Sequence, residues 1–438
     1  MKSYNSIGVQ SPKILLPNQQ INPNTWAVIA CDQFTSQPDY WQKVDEKVGN
    51  APSTLRMILP EVYLGKPDEP ARIVRAQQSM QSYLDNRIFT THDGFILVER
   101  TVNDRTRTGL MLALDLERYD FSAGSQSLIR ATEGTILDRL PPRMRIREGA
   151  PLELPHILVL IDDPSCTVIE PLREYRSRMK KLYDFDLMFD SGHLAGYAVS
   201  DPALEQQVVR ALEKLTDPNT FYARYGVGSE KGILLFAVGD GNHSLATAKS
   251  IWEKIKGDVG MNHPARFALV EIENLHDDAL EFEPIHRILF GIKQPALPAL
   301  QSAFGDNLTV DQLPSFDALT NLVQSPVEGV QRIGMVQGNS SYLLTFRNPQ
   351  HNLAVGTLQT FLDGWLKQGN AESIDYVHGS EVLKDLGCRE GCAGFFVPTM
   401  QKSELFKTVI VNGALPRKTF SMGEAREKRF YMECKRIQ

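Results

Sequence analysis

The chain has 438 residues, enough for two large domains or about three average ones. Hydrophobic residues make up 42% and charged residues 23%, which excludes a disordered chain, a collagen-like repeat and a coiled-coil rod. Lys+Arg 47 against Asp+Glu 53 gives a net charge of −6, a poor balance for general nucleic-acid binding but no bar to a local basic pocket for one small anion.

In chain order, the apolar run 26–31 reads as a buried strand that delivers Asp32, with Gln33 and Thr35 beside it. Helical spacing covers 71–86. Runs 94–102 and 108–116 flank Asn103-Asp104-Arg105 and predict a hairpin. An arginine-dense stretch follows over 130–147, then a strand over 156–161. Asp201-Pro202 caps and opens a helix with Leu204, Val208, Leu212 and Leu215 on one stripe. The strand 233–238 runs through Gly239-Asp240-Gly241-Asn242-His243-Ser244 into a helix, and 267–272 reads as a further strand. The proline-bearing stretch 292–315 suggests a boundary, giving a main α/β domain over 1–292 and an α+β portion over 293–438. A second hairpin spans 330–346, with helices near 358–367 and 402–412, a strand at 394–398 and Gly413 as helix stop. Interleaved strands and helices predict α+β, a mixed sheet flanked by helices.

The five cysteines are too few and too scattered for a disulfide scaffold, and Cys388-x-x-x-Cys392 lacks a matching pair for structural zinc. Haem and flavin are not expected either. The N-terminus shows no signal-peptide pattern and no run reaches membrane-spanning length, so the expected location is cytoplasmic.

The strongest local signal for chemistry is the 239–244 turn. Gly239 and Gly241 allow close backbone approach, and the helix start offers N–H groups to an anion. Asn242 and Ser244 complete the candidate phosphate loop. Asp240 suits a base or metal ligand and His243 a proton carrier; the competing reading is a plain capped turn. A second signal is Arg130, Thr132, Glu133, Gly134 and Arg139, since guanidinium forks match phosphate and carboxylate. Arg145 and Arg147 read as a solvated face. An RNA-contacting patch over 130–147 is the third reading of this stretch. Glu283-Pro284-Ile285-His286-Arg287 supplies another His-Arg pair, and Arg417, Lys418 and Thr419 form a basic segment after Gly413. Walker A, dinucleotide, Gly-x-Ser-x-Gly and His-Glu-x-x-His patterns are absent.

Asp240-Gly241-Asn242-His243-Ser244-Leu245, Pro284-Ile285-His286-Arg287 and Gly413-Ala414-Leu415-Pro416-Arg417-Lys418-Thr419 occur in the order found in a prokaryotic family. The chain resembles the family catalogued as domain of unknown function 1015. Cys31-Asp32-Gln33 stands more loosely for that family's Pro-Tyr-Asp. The Asp-Gly-x-His element also looks like the phosphate-side motif of the ParB/sulfiredoxin-like superfamily. That resemblance implies nucleotide binding at this turn and phosphoryl chemistry on serine or phosphoserine. Ser244 and Asn242 stand where the superfamily often has Arg and His, leaving Arg130, Arg139 or Arg287 to supply the missing phosphate ligand.

The expectation is therefore a phosphotransferase or phosphatase acting on a small anionic metabolite, with Mg2+ and a nucleotide as candidate cofactors. Asp240 or Asp32 would activate the hydroxyl or water, and His243 or His286 would move the proton. Arg130, Arg139 and Lys418 would neutralise the phosphate. The alternative is a nucleotide- or metabolite-binding regulator without catalysis.

Overall fold

The computed structural model describes residues 1–135, 140–423 and 425–438. The chain forms two compact units: residues 1–281 together with 422–438, and residues 282–421. The change of unit thus falls ahead of the proline-bearing stretch. That stretch folds as a helix, Ala296–Phe304, and a strand, Leu308–Leu313. Pro295 stands at the helix N-cap and Pro298 in its first turn, where a missing N–H costs little.

The first unit is built on a mixed sheet of eleven strands among the described residues. Nine of them run in the order Lys181–Asp186, His193–Val199, Phe95–Val102, Arg105–Asp115, Phe267–Asn274, Leu158–Ile161, Phe236–Asp240, Ile129–Ala131 and Tyr119–Asp120, while Val9–Gln10 branches off Arg105–Asp115 and carries Ser3–Tyr4. The hairpin at 95–115 is antiparallel, Leu158–Ile161 runs parallel to Phe267–Asn274, and Phe236–Asp240 runs parallel to Ile129–Ala131. The fold is α+β.

Alternation along the strands sends side chains to two separate cores. Leu97, Leu110, Leu112 and Leu114 point to one face and pack with Val208, Leu212, Leu245 and Trp252 from the helices Pro202–Leu215 and Asn242–Val259. Ile96, Val98, Met111 and Leu269 point to the other, against Trp26, Trp41, Met80, Phe430 and Tyr431. Burial on both faces explains why the strands read as continuous apolar runs.

Two pairings place the functional residues. Leu158 lies opposite Asp240 in an antiparallel pair, which sets the segment entering that strand beside the 239–244 turn. Tyr431 lies opposite Val28, so residues 428–431 run alongside the chain that leads to Asp32.

The second unit is an antiparallel sheet ordered Leu308–Leu313, Ser340–Arg347, Val330–Gln337, Ala393–Phe396, Phe282–Phe290 and Ser373–His378. Ile288, Phe316, Leu319, Val336 and Leu383 are buried in a core on this sheet.

Candidate functional site

The first unit gathers a polar cluster at the start of the helix Asn242–Val259. Gly241 is its N-cap, in the left-handed region at φ 80, and no side chain caps the helix. A Cβ there would meet the Ile157 backbone at 3.1 Å, so the turn needs glycine for both conformation and space. The first-turn N–H groups of such a helix carry a partial positive charge, which favours an anion.

Around this turn stand residues from three distant parts of the chain. Ser244 Oγ lies 2.9 Å from His156 Nε2, and Tyr431 Oη lies 2.8 Å from His156 Nδ1. The Cys31 N–H donates to Tyr431 Oη at 3.2 Å. Asp32 Oδ2 is 3.9 Å from His156 Nε2, and its other oxygen accepts from Gln33 at 2.9 Å. Lys428 Nζ lies 3.1 Å from Asp240 Oδ2. Burial works to raise the Asp240 carboxyl, but Lys428, His156 and the Gly241 N–H outweigh it and hold the group below its ordinary range. Burial, then Asp32 and Glu61, push the Cys31 thiol far up, so it is not a thiolate nucleophile at neutral pH.

A cavity of about 130 Å³ opens on this cluster, lined by Cys31, Glu61, Arg143, His156, Ser244 and Tyr431 on its polar side. Arg143 is hydrogen-bonded to Glu61. Burial raises the Glu61 carboxyl and Asp32 adds to this, while Arg143 opposes it.

The sequence-derived candidates fare differently. Asp32, Asp240, Gly241 and Ser244 come together here. His243 is half-buried in the same helix turn, and its carbonyl accepts from Thr247 at 2.7 Å. Gly239 packs closely, since a Cβ would meet Met422 at 2.5 Å. Asn242 and Thr132 hold the loop instead of facing outward: the Thr132 N–H donates to Asn242 Oδ1 at 3.1 Å, and its hydroxyl donates to the Val238 carbonyl at 2.6 Å. Glu133 is half-buried next to them.

Arg130 does not match its expected role as an open phosphate ligand. It is 1% exposed, and its guanidinium donates to the carbonyls of Ser127 and Gly232. Arg139 lies outside the described residues. Arg145 and Arg147 pair with Glu69 and Glu153 at 2.7 and 2.5 Å, so they are matched to carboxylates and do not form an open basic patch.

His286, Arg287, Arg417, Lys418 and Thr419 belong to the second unit. His286 is buried, stacks on Phe396, and accepts the Val397 N–H at Nδ1. Burial, with Arg287 and His378 beside it, lowers its pKa to about 4. Arg287 is fully buried and donates to Gln359 and to the carbonyls of Ile285 and Arg417. Arg417 pairs with Asp363 at 2.5 Å, the Thr419 hydroxyl donates to the Pro416 carbonyl, and Lys418 is exposed at φ 54.

Sequence reasoning missed His156, Lys428 and Tyr431. The one available signal was the C-terminal segment, where Lys428, Arg429, Glu433 and Lys435 punctuate an apolar strand-like run. Among the described residues, no group of three or more His, Cys, Asp or Glu side chains is placed to hold a metal ion. Asp240 is engaged by Lys428 and Asp32 by Gln33. Cys388 and Cys392 are both free thiols. Among the described residues, no helix is long and apolar enough to cross a membrane.

No protein of curated function matches this sequence. Among solved structures, a free serine kinase in complex with AMP is 11% identical, covering 75% of this chain and 91% of its own, with a TM-score of 0.37. A variant free serine kinase in complex with ADP is 10% identical, covering 75% and 92%, with a TM-score of 0.38. SbnI with C-terminal truncation, from Staphylococcus aureus, is 11% identical, covering 74% and 82%, with a TM-score of 0.34. The model of the family described as "Protein of unknown function (DUF1015)" matches residues 15–365, and the chain belongs to that family.

Proposed function

We propose that the protein transfers or removes a phosphoryl group on a small hydroxyl-bearing metabolite, with serine and phosphoserine as the first substrates to assay. The observation that carries this reading is the uncapped helix start at Gly241, surrounded by Lys428, Asp32, Asp240 and His156. The first-turn N–H groups hold phosphate oxygens, and Lys428 offsets their charge. Asp32, with 28% of its side chain exposed, takes the proton from the attacking hydroxyl or water. Asp240 keeps Lys428 in place. His243 or His156 returns a proton to the departing oxygen. A nucleotide is the natural phosphoryl donor for such a site, and a divalent cation would arrive with its phosphates.

The test is phosphate release from phosphoserine, and phosphoserine formation from serine with ATP or ADP. Asp32→Asn should lower turnover by about 10²–10⁴-fold. Absence of turnover with serine, phosphoserine and a small apolar alcohol such as benzyl alcohol, or an Asp240→Ala variant of full activity, overturns the proposal.

A second reading is a binding protein without chemistry. It is favoured by the way Asp240 and His156 already have their partners within the protein. Calorimetric binding of a nucleotide without product formation would select it.

A further inference from the structure

The cavity beside the Ser244–His156 pair is a poor match for serine. Most of its lining is hydrocarbon or thioether, with Met57, Leu59, Met80, Ile146, Leu154 and Leu269 among it. Met57, Met80 and Leu269 belong to the core on that face of the sheet, so the wall is held by packed elements. Of its polar lining, His156, Ser244 and Tyr431 are shared with the turn, while the charged residues pair with each other, Arg143 with Glu61 and Arg147 with Glu153. A serine molecule is polar on nearly every atom and would leave that wall facing unpaired polar groups. An apolar cavity of about 150 Å³ admits benzene, so one of about 130 Å³ takes a group of roughly five or six carbon atoms.

We infer that the cavity takes the apolar body of the phosphoryl acceptor, and that this acceptor is an amphiphilic alcohol with a compact hydrocarbon group rather than serine. This rests on the phosphoryl-transfer reading of the adjoining turn and names the substrate class for it. The hydroxyl then lies at His156 and Ser244, next to Asp32, while the hydrocarbon displaces water from the methionine-lined wall. The favourable term is apolar burial, which scales with the area removed from water. Discrimination against an acceptor lacking that group is about ten-fold or more.

The experiment reads occupancy directly and does not depend on turnover. The full chain carries 13C-methyl methionine, and the Met57 and Met80 signals are followed as benzyl alcohol, L-serine or ATP is added. Saturable shifts of both signals with benzyl alcohol, and none with serine, are the expected result. Ala150 lines the same cavity, and Ala150→Leu should weaken the benzyl alcohol response about ten-fold or more. The smaller Ala150→Ser, with an unchanged thermal midpoint, should keep the response, which separates filling from unfolding. Serine moving both methyls as strongly as benzyl alcohol overturns the inference. So does ATP moving them while benzyl alcohol does not, which would assign the space to a nucleobase. An Asp32→Asn variant with unimpaired turnover would sink the phosphoryl-transfer reading and leave the methyl shifts to be read independently.

Discussion

Arg429→Met should be the most damaging single change outside the apolar core. The Arg429 guanidinium is 5% exposed and lies 2.7 Å from Glu271 and 2.6 Å from Glu433, whose carboxylates are 2% and 1% exposed. It also donates to the Pro155 carbonyl at 2.7 Å. Methionine keeps much of the volume but leaves two carboxylates buried without their cation. Breaking a buried pair costs about 3–5 kcal/mol, chiefly through the stranded charge. Two carboxylates share one cation here and a single proton relieves much of their conflict, so the losses overlap instead of doubling. The expected loss is about 4–5 kcal/mol near pH 8, a large fraction of the roughly 5–15 kcal/mol that holds a domain together.

The pH dependence is the sharper test. In the variant, two buried carboxylates stand without their cation, and burial favours the protonated form of such a group. The folded state then binds more protons than the unfolded state, so stability rises as pH falls, by up to about 1.4 kcal/mol per unit for one group. The deficit should narrow steadily from about pH 8 to about pH 5. Urea unfolding followed by tryptophan fluorescence measures it, because Trp26 and Trp41 lie in the same buried cluster as Phe430 and Tyr431. Adding Glu433→Gln to Arg429→Met should recover part of the loss. A deficit below about 1 kcal/mol at every pH, or one that widens on acidification, refutes the reasoning.

Burial, with Glu271 and Asp277 adding to it, pushes Glu273 to about 7 even though Arg107 lies 2.7 Å away. A raised carboxyl contributes stability below its unfolded pKa and loses it as pH rises through 7, so Glu273→Gln should flatten the decline in unfolding free energy across neutrality. An unchanged slope would contradict the placement of that carboxyl. His286 should remain neutral down to about pH 5, and an imidazole NMR titration near 6.5 would show its surroundings misread. Gly241→Ala should cost about 1–3 kcal/mol and weaken phosphate binding, through the left-handed backbone and the approach to Ile157. Wild-type thermal stability in that variant would show that the turn tolerates a side chain.

Much of the scaffold was legible because periodicity and punctuation are local properties. Asp201 accepts from the Ala203 N–H at the start of Pro202–Leu215, and Gly413 ends Lys402–Asn412 at φ 85, both where the sequence indicated. The hairpin at 95–115 likewise follows from two apolar runs around a short polar turn. The proline-bearing stretch misled because prolines at a helix start resemble a linker in composition. The arginines raise a different point. The sequence shows a charge but not its partner, and Arg130, Arg287, Arg145 and Arg147 are taken up by carbonyls or carboxylates brought in from elsewhere. Of the candidate cluster, the 239–244 turn was visible in the sequence. His156, Lys428 and Tyr431 were not, since antiparallel register alone brings those residues to it.

The return of residues 422–438 to the first unit bears on biosynthesis. Lys428, Arg429 and Tyr431 leave the ribosome only after all of residues 282–421 have been made. A chain that ends between residues 282 and 427 holds every strand of the eleven-stranded sheet, yet lacks the cation beside Asp240 and the counter-charge of the buried Glu271. Residues 422–438 therefore supply charges that Asp240 and Glu271 of the first unit meet only after the second unit has been made.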